Sequence, residues 1–229
     1  MKLLGVITGD IVASRKLDVT NRDKLYSDIK KFLSMLKSEG RLTTYEMFRG
    51  DSIQCVVNNK EEVLRTALMI RAWLQSYSIK TINGKSNSSK DKVNGHLPGK
   101  QDIRLSIGIG KVDFLKRNNL SHSDGEAFHL SGLGLDSLKN SSGKIILQTA
   151  DENFNEVMEA ITLLLDAVME KWTGNQAEIV LFKLNNYKEE QIARAIGISQ
   201  SAVNQRTKAS QWNALEKLLT WFEKTIKAW

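Results

Sequence analysis

Two Gly-Asp dipeptides are the residues of this 229-residue chain best suited to metal and phosphate chemistry. Asp10 ends an apolar run near the start of the sequence, and Asp51 lies in Arg49-Gly50-Asp51 between two β-rich runs. In a βαββαβ sheet both carboxylates reach the same edge, where they form an oxygen-rich site suited to Mg²⁺ or Mn²⁺ bridging a triphosphate. The alternative is that each aspartate caps a turn, a common use of Gly-Asp at strand ends.

Side chains near these dipeptides are candidates to bind phosphate oxygens. Two of them directly follow the first predicted strand, although an exposed loop explains them equally well. An acid that opens the later helix 125–138 is a weaker candidate, because acids are ordinary in a first turn. We expect the backbone of Ile11 to contribute to the metal site. The predicted phosphate-binding residues are Ser14, Arg15, Arg49 and Glu126.

The segment 189–210 has the pattern of a helix-turn-helix. Ile192 and Ile196 have helical spacing, and Gly197 can adopt a positive φ at the bend. The second helix carries amides, hydroxyls and cations with almost no carboxylates, which favours DNA binding over an αα-hairpin that only packs. The predicted DNA-contacting residues are Gln200, Ser201, Asn204, Gln205, Arg206 and Lys208.

Positive charge is concentrated in the same part of the chain. Residues 171–229 hold nine Lys and Arg against five Asp and Glu, whereas residues 1–170 hold 24 against 21. Clustered cations create a positive potential that favours phosphate binding. With 41% apolar residues, a single cysteine and no long apolar run, the sequence indicates a cytoplasmic protein without an intramolecular disulfide or a membrane span.

The predicted elements follow the order βαββαβ, then αβ, then helices. Strands are expected at 2–9, 43–48, 52–58, 103–110 and 144–148, and helices at 21–38, 61–77, 125–138 and 152–171. This order predicts an α+β fold, with a ferredoxin-like palm domain over 1–171 whose antiparallel sheet carries helices on one face. An all-α helix-turn-helix domain over 172–229 follows. The polar segment 81–100 is expected to be a long loop.

The apolar C-terminal residues provide a candidate dimer interface. Trp172, Trp212, Trp221 and Trp229, with neighbouring leucines, favour helix packing or a dimer surface over a base-stacking platform. Two-fold pairing doubles the surface that reads DNA and matches a palindromic site, so we expect a homodimer bound to double-stranded DNA.

The motifs TGDIV, RGD and IRLSIGIG resemble the core motifs of class III nucleotide cyclases and related palm-domain enzymes. The resemblance implies that Asp10 and Asp51 hold Mg²⁺ or Mn²⁺ with a nucleoside triphosphate, and that palm domains pair. Together with GEAFHLSG and the C-terminal helix-turn-helix, these motifs resemble the SatD family of bacterial proteins over nearly the whole chain. The segment 175–219 is also similar to the region-4 DNA-binding module of sigma factors.

The cyclase resemblance fails where cyclases read the base and stabilise transition-state charge. The lysine, asparagine and arginine of that family are replaced here by Met47, His129 and Leu133. We therefore expect a DNA-binding regulator whose palm domain senses a nucleotide or another phosphate ligand. One alternative is an active metal-dependent nucleotidyl transferase or cyclase whose helical tail targets or dimerises it. Another is a scaffold whose palm domain binds no ligand.

Overall fold

The computed structural model describes residues 3–77 and 100–229, which form a five-stranded sheet with helices on both faces. The strands are β1 (Leu3–Ile11), β2 (Leu42–Phe48), β3 (Ser52–Val57), β4 (Ile103–Lys111) and β5 (Ile145–Gln148). Their order is β2-β3-β1-β4-β5, and all neighbours are antiparallel except β4 and β5. The first four strands have the ferredoxin-like order, which confirms the predicted α+β palm fold. The predicted loop at 81–100 lies outside the described residues, except for Lys100.

Helices α1 (Val19–Ser38) and α2 (Val63–Ser76) cover one face of the sheet. Their apolar stripes are buried against the odd-numbered residues of β1, β3 and β4, which share one face of the sheet, as the helical spacing predicts. Helix α3 (Glu126–Lys139) covers the opposite face, where it packs on Val6 and Val56. The expectation of helices on one face therefore holds for the split βαββαβ unit. The following α3 lies on the opposite face, because it is the crossover that makes β5 parallel to β4.

Helix α3 lies very close to β4 because glycines line the contact. A Cβ added to Gly108 would clash with the carbonyl oxygen of Ala127, and one added to Gly134 would clash with Ser106 Oγ. The glycines of IRLSIGIG thus have a packing role that is independent of any ligand. Their effect is to bring the end of α3 to the edge of the sheet that carries Asp10.

Five further helices follow the sheet. They are α4 (Glu152–Met169), α5 (Gly174–Leu184), α6 (Glu189–Ile196), α7 (Gln200–Ala209) and α8 (Trp212–Lys227). Helices α5 and α8 pack against α2, so that one hydrophobic cluster extends from the sheet into the C-terminal helices. Trp172, at the expected boundary between 1–171 and 172–229, is 1% exposed in this cluster, and its Nε1 donates to the Ser210 carbonyl oxygen at 3.0 Å.

A buried ion cluster joins α2, α4 and the start of β4. Arg71 is fully buried and makes a bidentate contact with Asp102, at 2.9 Å from Nε and 3.1 Å from Nη2. Its Nη1 also pairs with Asp166, whose second oxygen accepts from the Lys144 amide at 2.6 Å. Charges buried in this way are stable only when paired. Among the described residues, no helix is long and apolar enough to cross a membrane.

Candidate functional site

Asp10 and Asp51 lie at one edge of the sheet. Asp10 is the penultimate residue of β1, opposite Ser52 of β3 and Arg104 of β4. Asp51 lies in the turn between β2 and β3, and its carbonyl oxygen accepts from the Ile11 amide at 2.9 Å. The strand order thus brings together two residues that are distant in sequence. The Ile11 amide is engaged in this contact.

The pKa of the Asp10 carboxyl is raised above its ordinary value. Burial is the largest cause, and the negative charge of Asp51 is the next. The cations Arg104, Lys139 and Arg15 act in the opposite direction without outweighing these two effects. Two carboxylates that repel each other in a partly buried position form a site that a cation would stabilise.

Arg104 is the residue at this edge that the sequence analysis missed. Its Nη1 lies 3.4 Å from Asp10 Oδ2, and both side chains are about one quarter exposed (24% and 25%). Its Nε is buried and has no hydrogen-bond partner among the described residues. A guanidinium next to a carboxylate pair suits an anionic ligand. The signal was present in the sequence, because Arg104 is the only charged side chain between Ile103 and Gly110.

Three of the predicted phosphate-binding residues lie near the aspartates in the fold. Ser14 is buried, and its Oγ donates to Asp51 Oδ2 at 3.5 Å. Arg15 is exposed and lies in the same 3-10 turn, Ser14–Lys16. Arg49 is exposed in the β2–β3 turn with a positive φ of 50°. Arg15 and Arg49 are therefore free to meet a ligand, whereas Ser14 positions Asp51.

Glu126 does not belong to this edge, and its assignment to the phosphate site is wrong. Its Oε2 accepts from the Lys111 amide at 3.0 Å, at the far end of β4. Lys111 lies seven positions along β4 from Arg104, which is roughly 23 Å at the rise of a β-strand. His129 is likewise exposed and pairs with Asp124 at 2.8 Å, and Leu133 is 68% exposed.

The side chains present at this edge are compatible with a divalent cation that is also bound by a ligand. Within residues 3–77 and 100–229, no group of three or more His, Cys, Asp or Glu side chains converges. Asp10 and Asp51 would therefore supply two carboxylates, and ligand oxygens, backbone oxygens or water would supply the rest, as Mg²⁺ commonly requires. The partly exposed guanidinium of Arg104 provides a positive charge for such a ligand.

The helix-turn-helix has the predicted geometry. Gly197 follows α6 with a φ of 71°, and the Ser199 side chain caps α7 by accepting from the Ala202 amide at 3.2 Å. Ile192 and Val203 are fully buried against Ile179 of α5. Helix α5 therefore forms the third helix of a small separate core. The positive φ explains why a glycine stands at this bend.

Helix α7 turns most of its predicted DNA-contacting side chains outward. Gln200, Ser201, Gln205 and Lys208 are exposed, and Arg206 is half-buried. Asn204 differs, because its Nδ2 donates to Glu189 Oε1 of α6 at 3.3 Å. It must break this contact before it can bind a base. The exposed face carries cations and amides, which is the composition that a major-groove helix requires.

Comparisons with known proteins give likenesses in structure only. No family model and no curated protein matches the sequence. A bacterial light-regulated adenylyl cyclase is 16% identical with a TM-score of 0.39, over 64% of this chain and 77% of that chain. The GGDEF domain of DgcB from Caulobacter crescentus, solved with c-di-GMP, is 12% identical with a TM-score of 0.39, over 65% and 78%. The fold assignment rests on the strand order itself.

Proposed function

We propose that this protein is a cytoplasmic DNA-binding regulator whose palm domain binds a nucleoside triphosphate or another phosphate ligand with Mg²⁺ or Mn²⁺. The observation that carries the proposal is the exposed cationic and amide face of α7, which presents groups suited to duplex DNA. The resemblance to the SatD family belongs to the same proposal.

The ligand assignment is supported by the charges at the Asp10 edge. The mutual repulsion of Asp10 and Asp51 favours a cation, and Arg104 with Arg15 favours an anion. A metal-bound phosphate satisfies both requirements at once. In this role Asp10 and Asp51 hold the metal, whereas Arg104, Arg15 and Arg49 bind phosphate oxygens.

The rival function, a cyclase or nucleotidyl transferase, makes a separate prediction. Such an enzyme needs groups that stabilise charge as the triphosphate reacts. At the positions where cyclases carry those groups, this chain has the exposed side chains of His129 and Leu133. Release of pyrophosphate from ATP or GTP by the purified protein, absent in Asp10→Asn, would favour the rival.

The DNA proposal is tested by two pairs of substitutions on α7. Replacing Asn204 and Gln205 by Ala should lose sequence preference, at about 1–3 kcal/mol per base contact. Replacing Arg206 and Lys208 by Ala should weaken binding to all sequences and reduce the salt slope by about one per phosphate contact. The matched control is Lys217→Ala on the exposed side of α8. If both double variants bind every DNA fragment as the wild type does, α7 is not a recognition helix.

A further inference from the structure

Strand β2 forms one edge of the sheet, and an open cleft runs along it. Among residues 3–77 and 100–229, the strand pairs only with β3. The cleft has a volume of about 400 Å³, which is in the range of ligand-binding clefts. It is lined by β2, by α1 and by the loop between β4 and α3; the lining side chains are Thr44, Tyr45, Glu46, Met47, Lys30, Lys37, Arg117 and Asn118.

Hydrogen bonds fix both walls of this cleft to the strand. On the α1 side, Tyr45 Oη and Ser34 Oγ are 2.5 Å apart. On the loop side, Thr44 Oγ1 donates to the Arg117 carbonyl oxygen at 2.6 Å. Walls held in this way do not have to be ordered when a ligand binds, which favours affinity.

The cleft is strongly cationic. Lys30 and Lys37 lie on the α1 wall and Arg117 on the loop wall, and within the described ranges none of them forms an ion pair. Glu46, the one acid among the described lining residues, already accepts a hydrogen bond from the Leu120 amide at 2.5 Å. The charge of the cleft is therefore complementary to an acidic occupant.

The strand itself is suited to pairing with another strand. Exposed edges are commonly protected by lysine, proline or a bulge within the strand. The sequence LTTYEMF contains neither lysine nor proline, and its only register shift lies between Leu42 and Thr44. From Thr44 to Phe48 the pairing with β3 is regular, so alternate backbone groups face the cleft.

We propose that the β2 edge binds an extended acidic segment of a partner protein by strand addition. The backbone of the segment pairs with residues 44–47, and its carboxylates lie against Lys30, Lys37 and Arg117. The free edge selects a peptide, since a polynucleotide backbone cannot pair with the amides and carbonyls of a strand. This site does not include α7, Asp10 or Asp51.

A displayed library of random seven-residue segments, selected on the full-length protein, tests the proposal. Selected segments should alternate acidic with β-branched residues, and the synthetic peptides should protect amides within 44–47 from hydrogen exchange. The double variant Lys30→Glu/Lys37→Glu should weaken peptide binding by about tenfold. The matched control is Lys217→Glu/Lys224→Glu, an exposed pair with the same spacing and charge change on α8, and it should bind normally.

Several results would overturn the proposal. One is selection of neutral or basic segments, and another is an equal loss of binding in the control pair. A third is that the peptide does not slow hydrogen exchange of amides within 44–47. In that case Lys30 and Lys37 would serve only to keep β2 from pairing with the edge of another sheet. Displacement of the peptide by millimolar inorganic phosphate, but not by sodium chloride of equal ionic strength, would assign the cleft to small anions instead.

Discussion

The Asp10 carboxylate contributes unfavourably to the folded state at neutral pH. Burial and Asp51 raise its folded pKa above the ordinary value of 3.8. The folded protein therefore binds the proton more tightly than the unfolded chain does, and the contribution of this group to stability falls as the pH rises above 3.8. A metal ion at this edge would offset the repulsion between Asp10 and Asp51.

Asp10→Asn and Asp51→Asn therefore test the role of the two aspartates by the sign of their effect. At pH 7 each variant should unfold at the same temperature as the wild type or a higher one, because neutralising one charge relieves repulsion. Both should lose any rise in Tm caused by Mg²⁺ with a nucleoside triphosphate. Thermal melts with and without these ligands measure both effects.

Arg104→Gln is a control that should change stability in the opposite direction. It removes the cation next to Asp10 and leaves both carboxylates, so ligand-free stability at pH 7 should fall. If Asp10 and Asp51 are turn caps, their Ala variants should instead lose about 1 kcal/mol, whereas their Asn variants should keep the cap and the stability of the wild type. Destabilised aspartate variants, together with a wild-type Tm that metal and nucleotide do not change, would contradict the proposed site.

At the scale of elements, the Arg71 cluster determines how α2, α4 and β4 meet. Burial alone would raise the pKa of the Asp102 carboxyl, but the Arg71 guanidinium and the Ile103 amide outweigh burial and lower it. A carboxylate with a lowered folded pKa contributes stability above its unfolded pKa, and this contribution is lost as the pH falls through the folded pKa. Acid should therefore loosen this junction.

Arg71→Met should destabilise the protein by about 3–5 kcal/mol at pH 7, because Asp102 and Asp166 keep their charges without a partner. The deficit should shrink as the pH falls, since without Arg71 burial raises the pKa of the Asp102 carboxyl and protonation removes its unpaired charge. Urea unfolding at neutral and acidic pH measures this change. Arg194→Met, which breaks an exposed pair with Glu190, is the control and should cost at most about 0.5 kcal/mol. A deficit that is independent of pH would contradict this explanation.

Elements with strong periodicity were predictable from the sequence. The buried stripe of α1, the β2–β3 hairpin and the helix-turn-helix follow from local spacing and from Gly197. The position of α3, the Arg71 cluster and the Asp10–Arg104 pair depend on which elements become neighbours, which local patterns do not specify. Arg71 and Asp166 do stand out as lone charges in apolar helix segments, a signal that partners exist elsewhere.

At the scale of the whole molecule, the palm shares one hydrophobic cluster with α5 and α8, and α6 and α7 pack on α5 through a separate small core. The Val12 amide, two residues beyond Asp10, donates to the Asp102 carbonyl oxygen at 2.8 Å, and Asp102 pairs with Arg71. On the other side of this junction, Lys100 Nζ donates to the Trp172 carbonyl oxygen at 2.9 Å. These contacts connect the Asp10 edge, where a ligand would bind, to the C-terminal helices that pack against α7.

Dimer formation also concerns the whole molecule, and burial limits which residues can form the interface. Trp212, Leu215 and Phe222 of α8 are buried within the chain, so they are not available to a second copy. Of the exposed large apolar side chains, five lie on α4, on α8 or just after α8; they are Val157, Leu163, Leu164, Trp221 and Trp229. A patch of this kind is typical of an interface.

Val157→Glu/Leu164→Glu should therefore convert a homodimer into a monomer, as measured by sedimentation. Leu133→Glu is a matched control, because Leu133 on α3 is as exposed as Leu164 (68% and 69%). The control should remain dimeric. Wild-type protein that stays monomeric at tens of micromolar, with and without DNA, would contradict dimer formation, because a stable interface is populated at that concentration.

The most direct test of the central proposal is the affinity of the full-length protein for genomic DNA fragments, with and without Mg²⁺ and a nucleoside triphosphate. We expect at least one fragment to bind with a Kd of about 10⁻⁸ M or tighter at physiological salt. Ligand should change that Kd by about fivefold or more in the wild type and not in Asp10→Asn. Binding of every fragment only at the non-specific level of about 10⁻⁴–10⁻⁶ M, whatever the ligand, would contradict the account.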